Sequence, residues 1–271
     1  MKKNFIKLLC DPVTKEELKL EVIKENDLEI LEGFLVSTNS KYKITNGIPR
    51  FVEDEGYSKN FGWQWKKWST LQFENMNKNK PMEGHTENMF KTITELNEGL
   101  LSGKTVLDMG SGSGRFSDIA LRLGAEVISL DYSSAIDEAK KNLNNTNINF
   151  IQGDVLNLPL KEKTIDFVFS IGVLHHTPSP KKGVEEAFKV LKKGGEFSIS
   201  VYSKDSLYNF PVIHFWRFIF KNSWKLFKHY PPLFYSIFFG AINYFISKLH
   251  RYLTYPIRLI FPTIVLKDLN W

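Results

Sequence analysis

The chain of 271 residues is poor in cysteine; Cys10 is the only one. No disulfide can form within it, and a reducing compartment fits. Its opening lacks a proper apolar run. In M-K-K-N-F-I-K-L-L-C, Lys7 interrupts a stretch already too short for a signal sequence, so the segment reads as mature protein. The first 203 residues lack an excess of either charge. Residues 204–271 hold nine Lys/Arg against Asp205 and Asp268, which is +7, while the whole chain carries +6, leaving −1 for the rest. Any basic-patch argument therefore concerns the tail alone. What is present, 42% hydrophobic and 24% charged residues, describes a globular chain.

One stretch organises the rest. Residues 106–114 read V-L-D-M-G-S-G-S-G, an apolar run ending in an acid and followed by glycines at alternate positions. This pattern predicts a buried strand that enters a tight turn and opens a helix. Gly110, Gly112 and Gly114 let the backbone approach a ligand without a Cβ in the way. The helix after Arg115 would aim its first N–H groups at that ligand. Asp131 ends the next apolar run roughly 20 residues on, where an acid accepts hydrogen bonds from a ribose. The dinucleotide fingerprint G-x-G-x-x-G is not met, because Arg115 stands where its last glycine would be.

Three further motifs follow in register: F-I-Q-G-D-V-L-N-L-P at 150–159, T-I-D-F-V-F-S-I-G-V-L-H-H-T-P-S-P at 164–180 and V-L-K-K-G-G-E-F-S-I-S-V-Y at 190–202. With residues 106–114 they resemble class I S-adenosylmethionine-dependent methyltransferases of the bacterial small-molecule, type 11-like kind. The alternation of strands near 104–109, 126–130, 148–152, 165–170 and 196–202 with helices at 114–123, 134–143 and 183–191 predicts an α/β, Rossmann-like, doubly wound parallel sheet. Gly194-Gly195 would turn the last helix into the last strand. The resemblance implies S-adenosylmethionine as cofactor. It implies that Gly110, Gly112 and Gly114 border its methionine part and that Asp108 meets its amino group. It gives Asp131 the ribose hydroxyls, with Tyr132 beside the adenine. Asp154 would accept from the adenine amino group, with Val155 against the ring, and Ser170 and Ile171 would end the fourth strand at the methionine end. Asp166 is structural in such proteins.

Residues 1–55 read as a small β-rich module, with strands at 18–23, 28–36 and 41–45 and a turn at Asn46-Gly47. They resemble a degenerate zinc-ribbon-like domain. Residues 42–51 read Y-K-I-T-N-G-I-P-R-F, similar to its Y-P-I-x-x-G-I-P-R-F pattern, but the ligand positions read Cys10, Val13, Ser37 and Ser40. One thiol cannot complete a tetrahedral zinc site, so no metal is expected.

Residues 56–98 form a connector with F-G-W-Q-W-K-K-W at 61–68 and a helix at 87–96. Trp63, Trp65 and Trp68 are read first as packing and second as a cover for the cofactor, since an aromatic face suits a sulfonium cation. His85 and Thr86 border the cofactor or, for Thr86, cap the helix. The catalytic core is placed at 99–203, and His175 and His176 follow its fourth strand, where the resemblance implies substrate-facing residues; a histidine there would serve as general base for methylation of oxygen. Bracing the loop before Pro178 is their other reading.

Residues 204–271 hold 19 of the 38 aromatic side chains. They read as a helical cap, as a surface lying on an anionic membrane, or, last, as a span. The stretch 257–266, broken by Pro262, is the one candidate there for a final strand of the family sheet.

The expected function is methyl transfer to a small-molecule, glycan or lipid-linked acceptor, first at oxygen. The expected location is the cytoplasm, peripheral at the membrane's inner face if the tail binds lipid. A non-catalytic binding protein of the same fold is the rival; retention of Asp108, Asp131 and Asp154 together weighs against it. Nucleic acid is not expected as a partner, because the tail is more apolar than a solvated groove needs.

Overall fold

The structure, a computed structural model, describes residues 1–53, 62, 65–80, 82–96, 99–143 and 147–201. Met1–Val201 form one compact unit. The expectations for the basic aromatic tail at 204–271, and for Trp63, lie outside the described residues.

The chain opens with a 3₁₀ turn and a four-strand meander: β1 (Lys19–Glu25), β2 (Ile30–Val36), β3 (Lys41–Thr45) and β4 (Ile48–Arg50). Two connector helices follow, α1 (Glu74–Asn77) and α2 (His85–Thr94). The rest alternates: β5 (Thr105–Met109), α3 (Arg115–Arg122), β6 (Glu126–Asp131), α4 (Ala135–Asn142), β7 (Ile148–Gln152), β8 (Ile165–Ile171), α5 (Pro180–Val190) and β9 (Leu191–Ser200). Among the described residues nine strands join one sheet in the order β1-β2-β3-β4-β7-β6-β5-β8-β9. The last five are parallel. Their order is that of a Rossmann-like, doubly wound α/β fold, with the reversal between β5 and β8.

The central strands form here because they can be buried on both faces. Residues 106–109 of β5 and 167–171 of β8 are all buried, as a strand between two helical layers must be. Side chains alternate along them. Leu107, Met109, Ile128 and Leu130 pack with Leu9, Leu35 and Val190 in one core. Val106, Val127, Phe167 and Phe169 pack with Phe90, Ile119 and Ala139 in the other.

Two local expectations need correction. Gly194-Gly195 do not separate helix from strand, since β9 begins at Leu191. The register with β8 jumps from Ile165↔Leu191 to Phe167↔Glu196, so the glycines sit in a bulge. Gly194 has φ +80°, which a side chain would resist. Thr86 does not cap its helix. Gly84 is the N-cap, and the Thr86 hydroxyl donates to the Gln72 carbonyl at 2.9 Å.

The N-terminal meander is joined to the main sheet through β4. Arg50 pairs in parallel with Gln152, and the Phe51 N–H donates to the Gln152 carbonyl at 2.8 Å. The Arg50 guanidinium makes a two-pronged contact with Asp137, at 3.0 and 2.6 Å, and donates to Gln152 Oε1 at 2.8 Å. Within the meander, Cys10 is buried while Val13 is 79% exposed. Between them Asp11 is fully buried and accepts from the N–H groups of Val13 and Thr14 at 2.8 and 3.0 Å, from Ser37 Oγ at 2.7 Å and from the Tyr42 hydroxyl at 3.0 Å. Burial works against the Asp11 charge, but the hydrogen bonds from Ser37, the two amides and Tyr42 outweigh it and hold the carboxyl at about 2. Among the described residues, no group of three or more His, Cys, Asp or Glu is gathered that could hold a metal ion.

Candidate functional site

The glycine turn lies past the carboxyl end of β5, at the point where the strand order reverses. It is hung on β6: the N–H groups of Gly110 and Ser111 both donate to the Leu130 carbonyl, at 2.8 and 3.0 Å. Gly110, Gly112 and Gly114 have φ of +90°, +56° and +94°, a region that costs a side chain strain. Each is also crowded, for its own reason. A Cβ on Gly110 would strike Val173, and one on Gly114 would strike Leu143. A Cβ on Gly112 would lie 3.1 Å from Trp65 Nε1. Gly172, just past β8, has φ +75° and no described atom within 4 Å of where its Cβ would be.

Asp131 closes one side of the turn. Its Oδ2 accepts from the Gly112 N–H at 2.8 Å, and its Oδ1 accepts from the N–H and hydroxyl of Ser133 at 2.8 and 2.7 Å. Tyr132 follows it, and the Tyr132 carbonyl accepts from Gln152 Nε2 at 3.1 Å. At the end of β7, the Gly153 N–H donates to the Asp131 carbonyl at 3.0 Å, which brings Asp154 and Val155 to the same rim. Asp154 Oδ1 accepts from the Leu156 N–H at 2.9 Å, and Val155 is buried.

Asp108 lies under α3 rather than in the open. It is 2% exposed, and its Oδ2 accepts from Ser117 Oγ at 2.7 Å. Burial pushes its carboxyl up to about 7; the Asp131 charge adds to the push, and the Ser117 bond opposes it. Between pH 3.8 and about 7 the native state keeps this proton and the unfolded chain has released it, so this group's contribution to stability declines as pH rises across that window. Ser111 Oγ is buried in the turn with no hydrogen-bond partner among the described residues, an arrangement that normally calls for a ligand or water.

On the other side of the turn, Ser170 Oγ donates to the Met109 carbonyl at 2.9 Å and Ile171 is buried. His175 and His176 follow in a 3₁₀ turn, Leu174–His176, with ring centroids 4.0 Å apart. Burial lowers the pKa of both, and for His175 the His176 charge lowers it further. Asp166 stands apart from the site: its Oδ2 accepts from the Thr105 N–H at 2.9 Å and from Lys192 Nζ at 2.8 Å, a structural role.

The structure therefore brings Gly110, Gly112, Gly114, Asp131, Tyr132, Asp154, Val155, Ser170, Ile171 and the histidine pair to one end of the sheet, and sets Asp108 beneath it. It adds three residues that no motif marks. Ser117 and Ser133 orient the two acids. Asn142 Nδ2 donates both to the Ser69 carbonyl at 3.2 Å and to the Ser113 carbonyl at 3.1 Å, tying connector to turn. D-Y-S-S at 131–134 carries a local signal for the Ser133 turn. Asn142 carries none, because its partner Ser69 is 73 residues away.

Residues 107–199 match the methyltransferase domain family. Among curated relatives, a demethylmenaquinone methyltransferase of Paenarthrobacter aurescens is 33% identical over 116 residues, 42% of this chain and 43% of the relative. The mitochondrial ubiquinone biosynthesis O-methyltransferase of Schizosaccharomyces pombe is 29% identical over 195 residues, 70% of this chain and 66% of the relative. A solved S-adenosylmethionine-dependent methyltransferase from Mesorhizobium loti is 25% identical, with 48% of this chain and 56% of that one covered at a TM-score of 0.40. The matched stretch spans less than half the length of the first of these relatives. The match to the methyltransferase domain model is confined to residues 107–199 of the 271.

Proposed function

We propose that the protein is an S-adenosylmethionine-dependent methyltransferase whose acceptor is a small molecule, glycan or lipid-linked compound methylated at oxygen. The observation that carries this reading is the glycine turn hung at the sheet's reversal point, with Asp131 bound to its central amide. The match of residues 107–199 to a methyltransferase domain supports it. So do the names of the two curated relatives: both carry a quinone, and one is named an O-methyltransferase. Among the described residues the site fits the cofactor at two places: Ser111 offers a buried hydroxyl without a partner, and Gly172 leaves open the volume a Cβ would fill.

S-adenosylmethionine supplies a methyl group already activated by its positive sulfur. The chain's own work is then alignment and exclusion of water. Gly110, Gly112 and Gly114 hold the backbone against the methionine part, with Ser170 and Ile171 across from it. Asp131 takes the ribose hydroxyls, Tyr132 and Val155 flank the adenine, and Asp154 accepts from its amino group. His175 or His176 takes the proton of the acceptor hydroxyl; their lowered pKa keeps an imidazole neutral and able to do so at pH 7.

Titration calorimetry with S-adenosylmethionine tests the core of this reading, and absence of binding overturns it. Asp131→Ala is expected to weaken binding by about 1–3 kcal/mol, because the ribose hydroxyls and the Gly112 amide lose a charged acceptor. Unchanged affinity removes Asp131 from the site.

Affinity is also expected to rise with pH. A cofactor ammonium near Asp108 favours its ionised form, and Asp108 releases its proton only at about 7 in the free protein. Binding should therefore tighten as pH rises toward about 7 and level off above it, with a proton released below that value and seen as a binding heat that depends on buffer ionisation. An affinity flat from pH 6 to 8 removes Asp108 from contact with the cofactor.

The histidine pair is tested by changing both to Ala. The expected result is a turnover lower by about 100-fold or more, with cofactor affinity kept. Turnover that survives the change makes the pair a loop brace.

A further inference from the structure

The connector tryptophans are left over by the function as proposed, and the structure separates them. Trp68 is 42% exposed, with Lys67 Nζ 5.0 Å from its ring centroid, as a side chain at the surface would be. Trp65 is half-buried and lies against the glycine turn. A Cβ built on Gly112 would sit 3.1 Å from its Nε1 and 3.2 Å from its Cε2, both indole atoms and neither backbone. Gly112 is also the residue whose N–H is held by Asp131. It follows Ser111, whose hydroxyl is buried without a partner among the described residues.

The contact is braced from both ends of the turn. Asn142 links the Ser69 and Ser113 carbonyls. Arg115, the first residue of α3, donates to Gln72 Oε1, and the Gln72 carbonyl accepts from Thr86. The connector is thus fastened to the turn at Ser69 and Gln72, and Trp65 is the large aromatic that those fastenings hold over Gly112.

We infer that Trp65 is a cofactor-contacting residue, forming the wall of the site across from the Asp131 carboxylate and presenting its indole to the charged sulfonium end of the cofactor. This rests on the reading of the glycine turn as an S-adenosylmethionine site. A ligand laid along residues 110–114 passes Gly112, whose Cβ direction faces the indole. An aromatic ring attracts a cation more than a neutral group of the same shape. Trp65 therefore contributes a preference for the charged cofactor over the uncharged product S-adenosylhomocysteine, beyond what packing alone provides.

The test uses the full chain and two ligands. Trp65→Leu is expected to weaken binding of S-adenosylmethionine about 3- to 10-fold more than binding of S-adenosylhomocysteine. Equal weakening of both, or of neither, overturns the inference, since a merely structural tryptophan does not distinguish the two. Trp65→Phe keeps an aromatic ring and guards against a variant that fails to fold. In wild type and in Trp68→Phe, S-adenosylmethionine should quench the tryptophan emission, and in Trp65→Phe most of that quench should vanish. A quench of wild-type size in Trp65→Phe overturns the inference while leaving the cofactor site standing. Wild-type protein that binds neither ligand overturns the site, and the inference with it.

Discussion

Replacing Gly112 with Val should abolish detectable binding of S-adenosylmethionine and leave the far-UV circular dichroism unchanged. Three effects add at this one position. The backbone sits at φ +56°, which a β-branched residue tolerates worst. The new side chain would meet the Trp65 ring within 3.2 Å of its first atom. Either strain moves the amide that Asp131 holds at 2.8 Å, and with it the orientation of the acid itself. The sheet cores do not include Gly112, so the loss should be confined to the turn. Calorimetry and circular dichroism on the same sample decide it. Binding retained within tenfold would mean that the turn is not where the ligand lies.

Asp11→Ala should cost about 3 kcal/mol of stability and lower the melting temperature by roughly 6–12 °C. Asp11 is fully buried and terminates four hydrogen bonds, two from amides and two from hydroxyls of Ser37 and Tyr42. Removing it leaves four donors facing one another at the place where the N-terminal loops meet. The stabilisation depends on the ionised carboxylate. It is fully present above the ordinary value of 3.8 and is lost as pH falls toward about 2. A thermal melt at pH 7 measures the first part, and the narrowing of the gap between wild type and variant at acid pH measures the second. A variant that melts with the wild type would show that the cluster is decorative.

The parallel core was legible because its strands are apolar almost throughout. V-L-D-M and D-F-V-F-S-I can be buried on both faces and nowhere else, and observed strand limits fall within a residue or two of the expected ones for β5 through β8. The site's main chain was legible for the same reason: glycines and acids at strand ends have few other uses. What lies between distant segments was not. β4 is three residues long and contains Pro49, so no periodicity announces it. Its pairing with β7 is a fact about residues far apart in the chain. Gly194-Gly195 looked like a turn because nothing local distinguishes a bulge from one. The place of Trp65 over Gly112 depends on Asn142 and Arg115 reaching across to the connector, and no composition or spacing records that.

The pairing of β4 with β7 also bears on how the chain reaches its native state. Arg50 and Gln152 are 102 residues apart, and the hydrogen bond between them marks the seam of the sheet. As the chain leaves the ribosome, the meander β1–β3 can form from neighbouring residues. The outer edge of β4 then stays open until β7 has been made and β5 and β6 have been laid beside it. Contacts of such long range are slow to close, and an unpaired strand edge is a template for the wrong partner meanwhile. Pro49 donates no hydrogen bond, and the adjoining Arg50 carries a charge that must be matched by Asp137. Both make the waiting edge a poor partner for any strand but the one it is built to meet.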